Sequence, residues 1–306
     1  MDISVVIPTH DRPEKLQLAL DRLELQRSAP RFELIVVANA GDDPGPVTGA
    51  IGERPFPVRQ LEATVAGASA ARNAGWRAAR SELILFLGDD ILASPALLCE
   101  HLEWHSSHPA EEVGVLGHVR WARQIEVTPF MRWLERGMQF DYEGIDGIEA
   151  GPGRLYTANV SLKRGMLERV DGFDEGLPFL FEDIELGYRL FRHDFRLLYN
   201  ADADAEHLHE ITLESWKRRM EVAARGEHAL TAKHPEIEPE MLERLRRAAA
   251  APPARGRAAK LVAVVPRWVP FVGPVVWKSA EQRWLQAIAP GYIRAWEEEK
   301  RGIEVG

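Results

Sequence analysis

Two adjacent carboxylates, Asp89 and Asp90, follow the apolar run Leu83-Ile84-Leu85-Phe86-Leu87 after a single glycine, Gly88. Such a run reads as a buried strand, and in an open parallel sheet ligands bind outside the carboxyl ends of strands, so the pair points into the expected crevice. Pro8 and Thr9 follow a second buried run, Ile3 to Ile7, and carry backbone groups and a hydroxyl to the same edge. Arg72 and Asn73 stand among alanines and glycines whose small side chains let a ligand approach the backbone. An arginine there suits a pyrophosphate, because its fork bonds phosphate oxygens in pairs. Glu182 and Asp183 open a segment of helical periodicity, where a helix N-terminus favours negative charge even without chemistry. His207 and His209 project to one side if their segment is extended.

The elements that must position these groups follow from apolar spacing. Ile3 to Ile7, Leu34 to Val37, Val58 to Leu61 and Leu83 to Leu87 are expected strands, separated by helices on Leu16, Leu20 and Leu23 and on Ala68 to Ala79. Strand, helix, strand implies right-handed parallel crossovers. A helix from about Pro95 to His105 follows, then strands at Val113 to Val119, Leu155 to Leu162 and Phe195 to Tyr199, and a helix over Phe181 to His193. Asn39 to Asp43 reads as a turn, and Asp141 to Gly153, rich in glycine and acids, as a mobile surface loop and candidate lid. Ala249 to Arg257 reads as a linker.

Composition narrows the function classes. A chain of 306 residues, 45% hydrophobic and 28% charged, can bury a full core. Its net charge of -9, without a basic block, argues against nucleic-acid binding. The single Cys99 forms no internal disulfide and sits in an apolar stretch as a small core residue. Nothing at the N-terminus reads as a secretory leader, so a cytoplasmic chain is expected. The most apolar stretch, Leu261 to Trp277, is broken by Pro266, Pro270, Pro274 and Arg267 and does not span a membrane.

Taken together, VVIPTHDRP (Val5 to Pro13), ELIVVANAGDD (Glu33 to Asp43), ASAARNAG (Ala68 to Gly75), LILFLGDDI (Leu83 to Ile91), TANVSLKR (Thr157 to Arg164), VDGFDE (Val170 to Glu175), FEDIELGYRL (Phe181 to Leu190) and AEHLH (Ala205 to His209) resemble the inverting family 2 glycosyltransferases. The resemblance implies a GT-A fold, an α/β architecture with a mostly parallel central sheet flanked by helices. Residues 1–225 would form the catalytic domain and 226–306 a helical C-terminal extension. It further implies a nucleotide-sugar donor, UDP favoured, held by Pro8, Thr9, Arg12, Asn39, Arg72, Asn73 and Asp89. Mn²⁺ or Mg²⁺ would sit on Asp90 and one of His207 and His209, and Asp183, with Glu182 beside it, would be the catalytic base. The acceptor would be a sugar, a lipid-linked saccharide or a small molecule. Two positions depart from the family pattern: Gly88 stands where the first of three acids is common. Ala38 replaces an acid that contacts base or ribose, a place Asn39 or Asp42 could fill.

Two other classes stay open. A sugar nucleotidyltransferase shares the strand order, but its glycine-rich loop after the first strand is missing from Thr9-His10-Asp11-Arg12-Pro13. A degenerate, non-catalytic scaffold is compatible with Gly88 and Ala38. In the tail, Trp268, Trp277, Trp284 and Trp296 lie among Lys260, Arg267, Lys278, Arg283 and Arg294. That combination fits peripheral contact with the inner face of a membrane or, equally, packing on the catalytic domain or in a homo-oligomer.

Overall fold

The computed structural model describes residues 1–28, 30–177, 180–254 and 261–305. Along the chain run β1 (Ile3–Thr9), α1 (Pro13–Leu23), β2 (Phe32–Ala38), α2 (Pro44–Ile51), β3 (Val58–Glu62), α3 (Ala68–Ala78), β4 (Leu83–Leu87), β5 (Ile91–Ala93), α4 (Leu97–Ser107) and β6 (Val113–Trp121). Then come α5 (Pro129–Leu134), β7 (Asn159–Lys163), α6 (Arg164–Arg169), α7 (Glu182–Phe191), β8 (Arg196–His207), α8 (Leu213–Lys233), α9 (Glu240–Ala250) and α10 (Val272–Val305). They divide into two compact units, the first built from Met1–Ile125, Phe140–Gly176 and Glu182–His209, the second from Glu126–Gln139, Leu177–Phe181 and Glu210–Gly306. The expected division at 225/226 falls inside the continuous helix α8. The chain instead changes units after His209, where β8 has ended.

The first unit holds an eight-stranded sheet of order β3-β2-β1-β4-β7-β6-β8-β5. Its first four strands are parallel, because α1, α2 and α3 provide the crossovers that parallel pairing requires. β7 then runs antiparallel to β4 and β6, β6 and β8 pair in parallel, and β5 lies antiparallel on β8. The sheet is therefore mixed, its mostly parallel character confined to the half that carries β1 and β4. Side chains alternate between two cores: Ile3, Val5 and Ile7 meet Leu16 and Leu20 on one face, and Val6, Ile35 and Val37 meet Ala70, Ala71 and Trp76 on the other. Gly75 lets α3 lie directly on β1, since a Cβ there would come within 2.3 Å of Val6 Cγ1.

Several expected boundaries shift. Pro8 and Thr9 belong to β1, still in register with Val37 and Ala38, while the pairing of β1 with β4 stops at Val6 and leaves that end of the strand open. β7 begins only at Asn159, and β8 runs to His207, far beyond Tyr199. The extra length of β8 is NADADAEH, whose buried Ala203, Ala205 and His207 alternate with more exposed acids, so it carries no apolar run. Residues 141–153 are anchored rather than loose: Tyr142 is packed against Phe140 and Tyr156, Arg154 pairs with Asp141, and Ala150 N–H donates to Leu197 at 2.8 Å. Ala249 and Ala250 complete α9 instead of opening a linker, and residues 255–257 and Lys260 lie outside the described residues.

In the second unit α10 packs against α8 and α9. Trp284 meets Phe130 and Trp133, with centroids 5.5 and 5.3 Å away, and Trp277 at 6.5 Å; Trp296 packs on His228. Three of the four tail tryptophans thus pack within their own unit, and Trp268 alone stands out, 81% exposed. No helix among the described residues is long and apolar enough to cross a membrane.

Candidate active site

Adjacent strands β1 and β4 bring their carboxyl ends side by side. Thr9 Oγ1 donates to Asp89 Oδ2 at 2.9 Å, and Arg12, at the start of α1, donates to Asp90 Oδ2 at 2.8 Å and lies 3.3 Å from Asp89. Immediately after Asp90 the chain turns into β5, whose Ile91 pairs with His207, and Leu208 N–H donates to the Asp90 carbonyl at 2.8 Å. This pairing delivers both histidines. His209 Nδ1 lies 3.1 Å from Asp90 Oδ2 and His207 Nε2 lies 3.4 Å from Asp90 Oδ1. One ligand atom from each of Asp90, His207 and His209 falls within 4.8 Å of the others. His207 is fixed from behind by Trp121, stacked 5.5 Å away at 11°.

Burial and the charge of Asp90 push Asp89 up to about 6. Burial also opposes ionisation of Asp90, but His207, His209 and Arg12 outweigh it and hold this carboxyl well below the usual range. His209 is lowered: its bond to Asp90 favours the charged ring, yet burial and His207 prevail. An ionised carboxylate beside a neutral imidazole is the state in which both can act as metal ligands. One carboxylate and two imidazoles fit a divalent transition ion such as Mn²⁺ better than Mg²⁺, which prefers oxygen alone. Gly88 has a physical reason as well. A Cβ there would stand 3.2 Å from Asp90 Oδ1 and 3.0 Å from Ile91, so a third acid would crowd the carboxylate.

A second group forms around α3 and α7. Arg72 Nη1 donates to Glu182 Oε1 at 2.8 Å, both side chains are buried, and Phe173 lies 5.5 Å from the guanidinium. Arg72 Nε is buried with no hydrogen-bond partner among the described residues. Asp183 keeps partial exposure, its Oδ1 accepting from Ile184 N–H at 2.8 Å. Burial and the Glu182 carboxylate push Asp183 up to about 7, against the pull of Arg72 and of backbone bonds from Ile184 and Thr157. Aromatic rings connect the two groups: Tyr156, near Asp183, packs 5.1 Å from Phe140, which lies 6.1 Å from His207.

Two residues expected to contact the donor, Asn73 and Asn39, have hydrogen-bond partners within the protein. Asn73 is fully satisfied by the protein: its amide donates to the Phe173 carbonyl and Glu175 and accepts from Phe173 N–H and Trp76 Nε1, all within 2.9 Å. It clamps the 173–175 segment to α3 and offers a ligand nothing. Asn39 Oδ1 accepts from Gly67 N–H at 2.8 Å, tying the β2 end to the start of α3, and Asp42 is held by His10 at 3.0 Å. Pro8 contributes through the strand end alone. Trp121, Phe140 and Tyr156 are additions that the sequence motifs do not mark. Trp121 reaches the site through its pairing with His207 across β6 and β8, and no spacing in the sequence announces that register.

Comparison with known proteins finds relatives of the chain as a whole. Validoxylamine A glucosyltransferase from Streptomyces hygroscopicus subsp. limoneus is 28% identical over 78% of this chain and 58% of its own length. The O-antigen biosynthesis protein RfbC from Myxococcus xanthus is 27% identical over 67% of the chain and 17% of its own. The chain thus spans about three fifths of the first curated relatives it matches, 58% and 62%. Among solved structures, the mannosyltransferase PcManGT from Pyrobaculum calidifontis, in complex with GDP-Man and Mn²⁺, superposes with a TM-score of 0.65 at 18% identity, covering 97% of this chain and 86% of that one. S. aureus TarS 1-349 in complex with UDP-GlcNAc gives 0.52 at 15% identity, covering 99% and 92%. These superpositions establish the GT-A fold. The profile of glycosyl transferase family 2 matches residues 4–156, half of the chain, and the protein belongs to that family.

Proposed function

We propose that the chain transfers a glycosyl group from a nucleoside-diphosphate sugar to an acceptor hydroxyl in a single, inverting displacement. The observation that carries the reading is the convergence of Asp90, His207 and His209 beside Thr9, Arg12 and Asp89 at the open ends of β1 and β4. Asp90, His207 and His209 would hold a divalent cation there, Mn²⁺ by the donor set, and it would supply positive charge to the departing diphosphate. Arg72, buried with an unpartnered Nε, supplies further positive charge for the donor, and Glu182 positions it.

Asp183 takes the proton of the acceptor hydroxyl as its oxygen attacks the anomeric carbon. The bond from that carbon to the diphosphate oxygen breaks, and its electron pair leaves with the nucleoside diphosphate. Of the two acids, Asp183 suits the base better: it is the more exposed, and a carboxylate raised to about 7 accepts a proton effectively near neutrality. Glu182 is committed to Arg72.

UDP-sugars are the first donors to test, GDP-sugars the second, since structural relatives hold both kinds of nucleotide. The acceptor class is a sugar, a lipid-linked saccharide or a small molecule, and the reaction is assigned to the first unit in the cytoplasm.

A thermal-shift panel of nucleotide sugars with and without Mn²⁺ tests this directly, because ligand binding raises the apparent melting temperature by mass action. The expected result is a shift with Mn²⁺ and a matching donor that Asp90→Ala abolishes while its own melting temperature stays near that of the parent. Equal donor affinity in chelator and in Mn²⁺ would overturn the metal assignment.

A further inference from the structure

The second unit carries a feature that glycosyl transfer does not use. Between Leu261 and Val275 six large apolar side chains are exposed: Leu261, Val264, Trp268, Phe271, Val272 and Val275, with Val264 at 72% and Phe271 at 91%. Scattered exposed apolar residues are ordinary, but this many in fifteen positions is a patch. Phe271 adds backbone strain to exposure, with φ at +61°, a region that bulky residues rarely adopt. Among the described residues of its own unit, no packing offsets either cost.

The segment is nevertheless built rather than loose. Val264 and Val265 N–H donate to the Leu261 carbonyl, Val269 N–H to Pro266, Val272 N–H to Pro270 and Gly273 N–H to Val269. Trp277 Nε1 donates to the Val265 carbonyl at 3.1 Å, and a Cβ on Gly273 would meet the Arg267 carbonyl at 2.3 Å. Pro266, Pro270 and Pro274 have no N–H to satisfy. A turn that satisfies so many of its own backbone groups can leave water at low cost. At the start of α10 the faces separate cleanly: Val276 and Ala280 are buried, while Val272, Val275 and Lys278 face outward.

Charge identifies the occupant. Residues 251–280 contain Arg255, Arg257, Lys260, Arg267 and Lys278 and no acid, in a chain whose net charge is -9. An exposed Trp-Phe-Val tip inside a purely basic segment complements an anionic lipid surface, where rings enter the headgroup layer and cations meet the phosphates. A second copy of the chain fits less well, because a two-fold contact would set two identical basic segments against each other. We infer that residues 261–278 dock the second unit onto an anionic bilayer interface, with Trp268 and Phe271 as the inserted side chains.

The test is co-flotation of the full chain with vesicles of equal parts phosphatidylcholine and phosphatidylglycerol, and with phosphatidylcholine alone. Binding is expected to the anionic vesicles and to weaken as salt is raised. Trp268→Ser with Phe271→Ser should reduce it by about tenfold or more. Arg267→Glu with Lys278→Glu should reduce it by about tenfold on anionic vesicles only. All four side chains are largely exposed, so each variant should melt with the parent. Absence of vesicle binding by the full chain, or equal binding by the Trp268/Phe271 variant, overturns the proposal. Concentration-dependent dimerisation without lipid, lost in that same variant, overturns it in favour of a contact between copies.

Discussion

A carboxylate works as a general base when it is ionised at the working pH yet basic enough to take a proton, and Asp183 stands near that balance. Its raised value, about 7, arises from burial and from Glu182 one residue away. Since the base must be deprotonated, the rate of transfer should rise with pH and level off above about 7 in single-turnover measurements. Asp183→Asn should retain the fold and donor binding but lose about 10²- to 10⁴-fold in transfer, the range typical of general-base catalysis, together with this acid limb. Full activity in that variant, or a product that retains the anomeric configuration, would remove Asp183 from the mechanism. Glu182→Gln should act differently, loosening Arg72 and weakening donor binding before it affects the chemical step. At this scale the sequence is legible where type and spacing suffice: motif order marks Asp90, His207 and His209. It does not mark the partners that Asn39 and Asn73 take within the protein, because an amide that clamps a loop and one that binds a nucleotide look alike until their partners are visible.

Among the elements, β7 shows how a strand can be held by polar contacts within an apolar core. Ser161 Oγ lies 2.9 Å from His101 Nδ1 and 2.8 Å from His105 Nε2, both on α4, and Asn159 Oδ1 lies 2.9 Å from His101 Nε2. Asn159 Nδ2 in turn donates to the Ala203 carbonyl of β8 at 2.8 Å, so one network joins α4, β7 and the strand that carries His207. Burial pushes His101 down to about 4, and burial with the charge of His101 and Lys163 pushes His105 to about 3. Both rings therefore stay neutral in the fold, while in the unfolded chain they take up protons below about 6.5. Stability should be full above pH 6.5 and fall as pH drops from there toward 4, because protons then favour the unfolded chain. Every tenfold by which the unfolded ring binds its proton more tightly than the folded one costs about 1.4 kcal/mol. Urea unfolding between pH 7 and 5 measures this, and His105→Gln should flatten the slope; an unchanged slope would show that His105 does not contribute. Strands β1, β2 and β4 are readable as continuous apolar runs. β5, only three residues long, and the acidic half of β8 are not, because pairing with a neighbour rather than local composition makes them strands.

At the scale of the whole chain, the first unit follows a pattern that family motifs and strand spacing anticipate, whereas the second is assembled by side chains far apart in sequence. Its central contact is Glu227 of α8. Helix α9 begins after Pro239 without a side-chain cap of its own, and Glu227 accepts its Met241 and Leu242 N–H groups at 2.8 and 3.0 Å. A carboxylate there compensates both the unsatisfied donors and the positive end of the helix dipole. Tyr292 of α10 donates to the same carboxylate at 2.7 Å, so a single buried acid links three helices. Burial raises Glu227, against these three bonds, which marks the link as costly to desolvate and costly to break. No spacing rule connects residues 227, 241 and 292, which is why a helical extension could be expected but not its architecture. Glu227→Ala, which leaves three donors, two of them buried, without an acceptor, should destabilise the protein by about 3 to 5 kcal/mol. Tyr292→Phe, which removes one donor and keeps the ring, should cost only about 1 to 2 kcal/mol. Guanidinium unfolding followed by tryptophan fluorescence reports on this unit directly, since Trp216, Trp277, Trp284 and Trp296 lie within it. If Glu227→Ala unfolds at the same denaturant concentration as the parent, the helices are held by their apolar faces alone, and the carboxylate is a consequence of their packing rather than a cause.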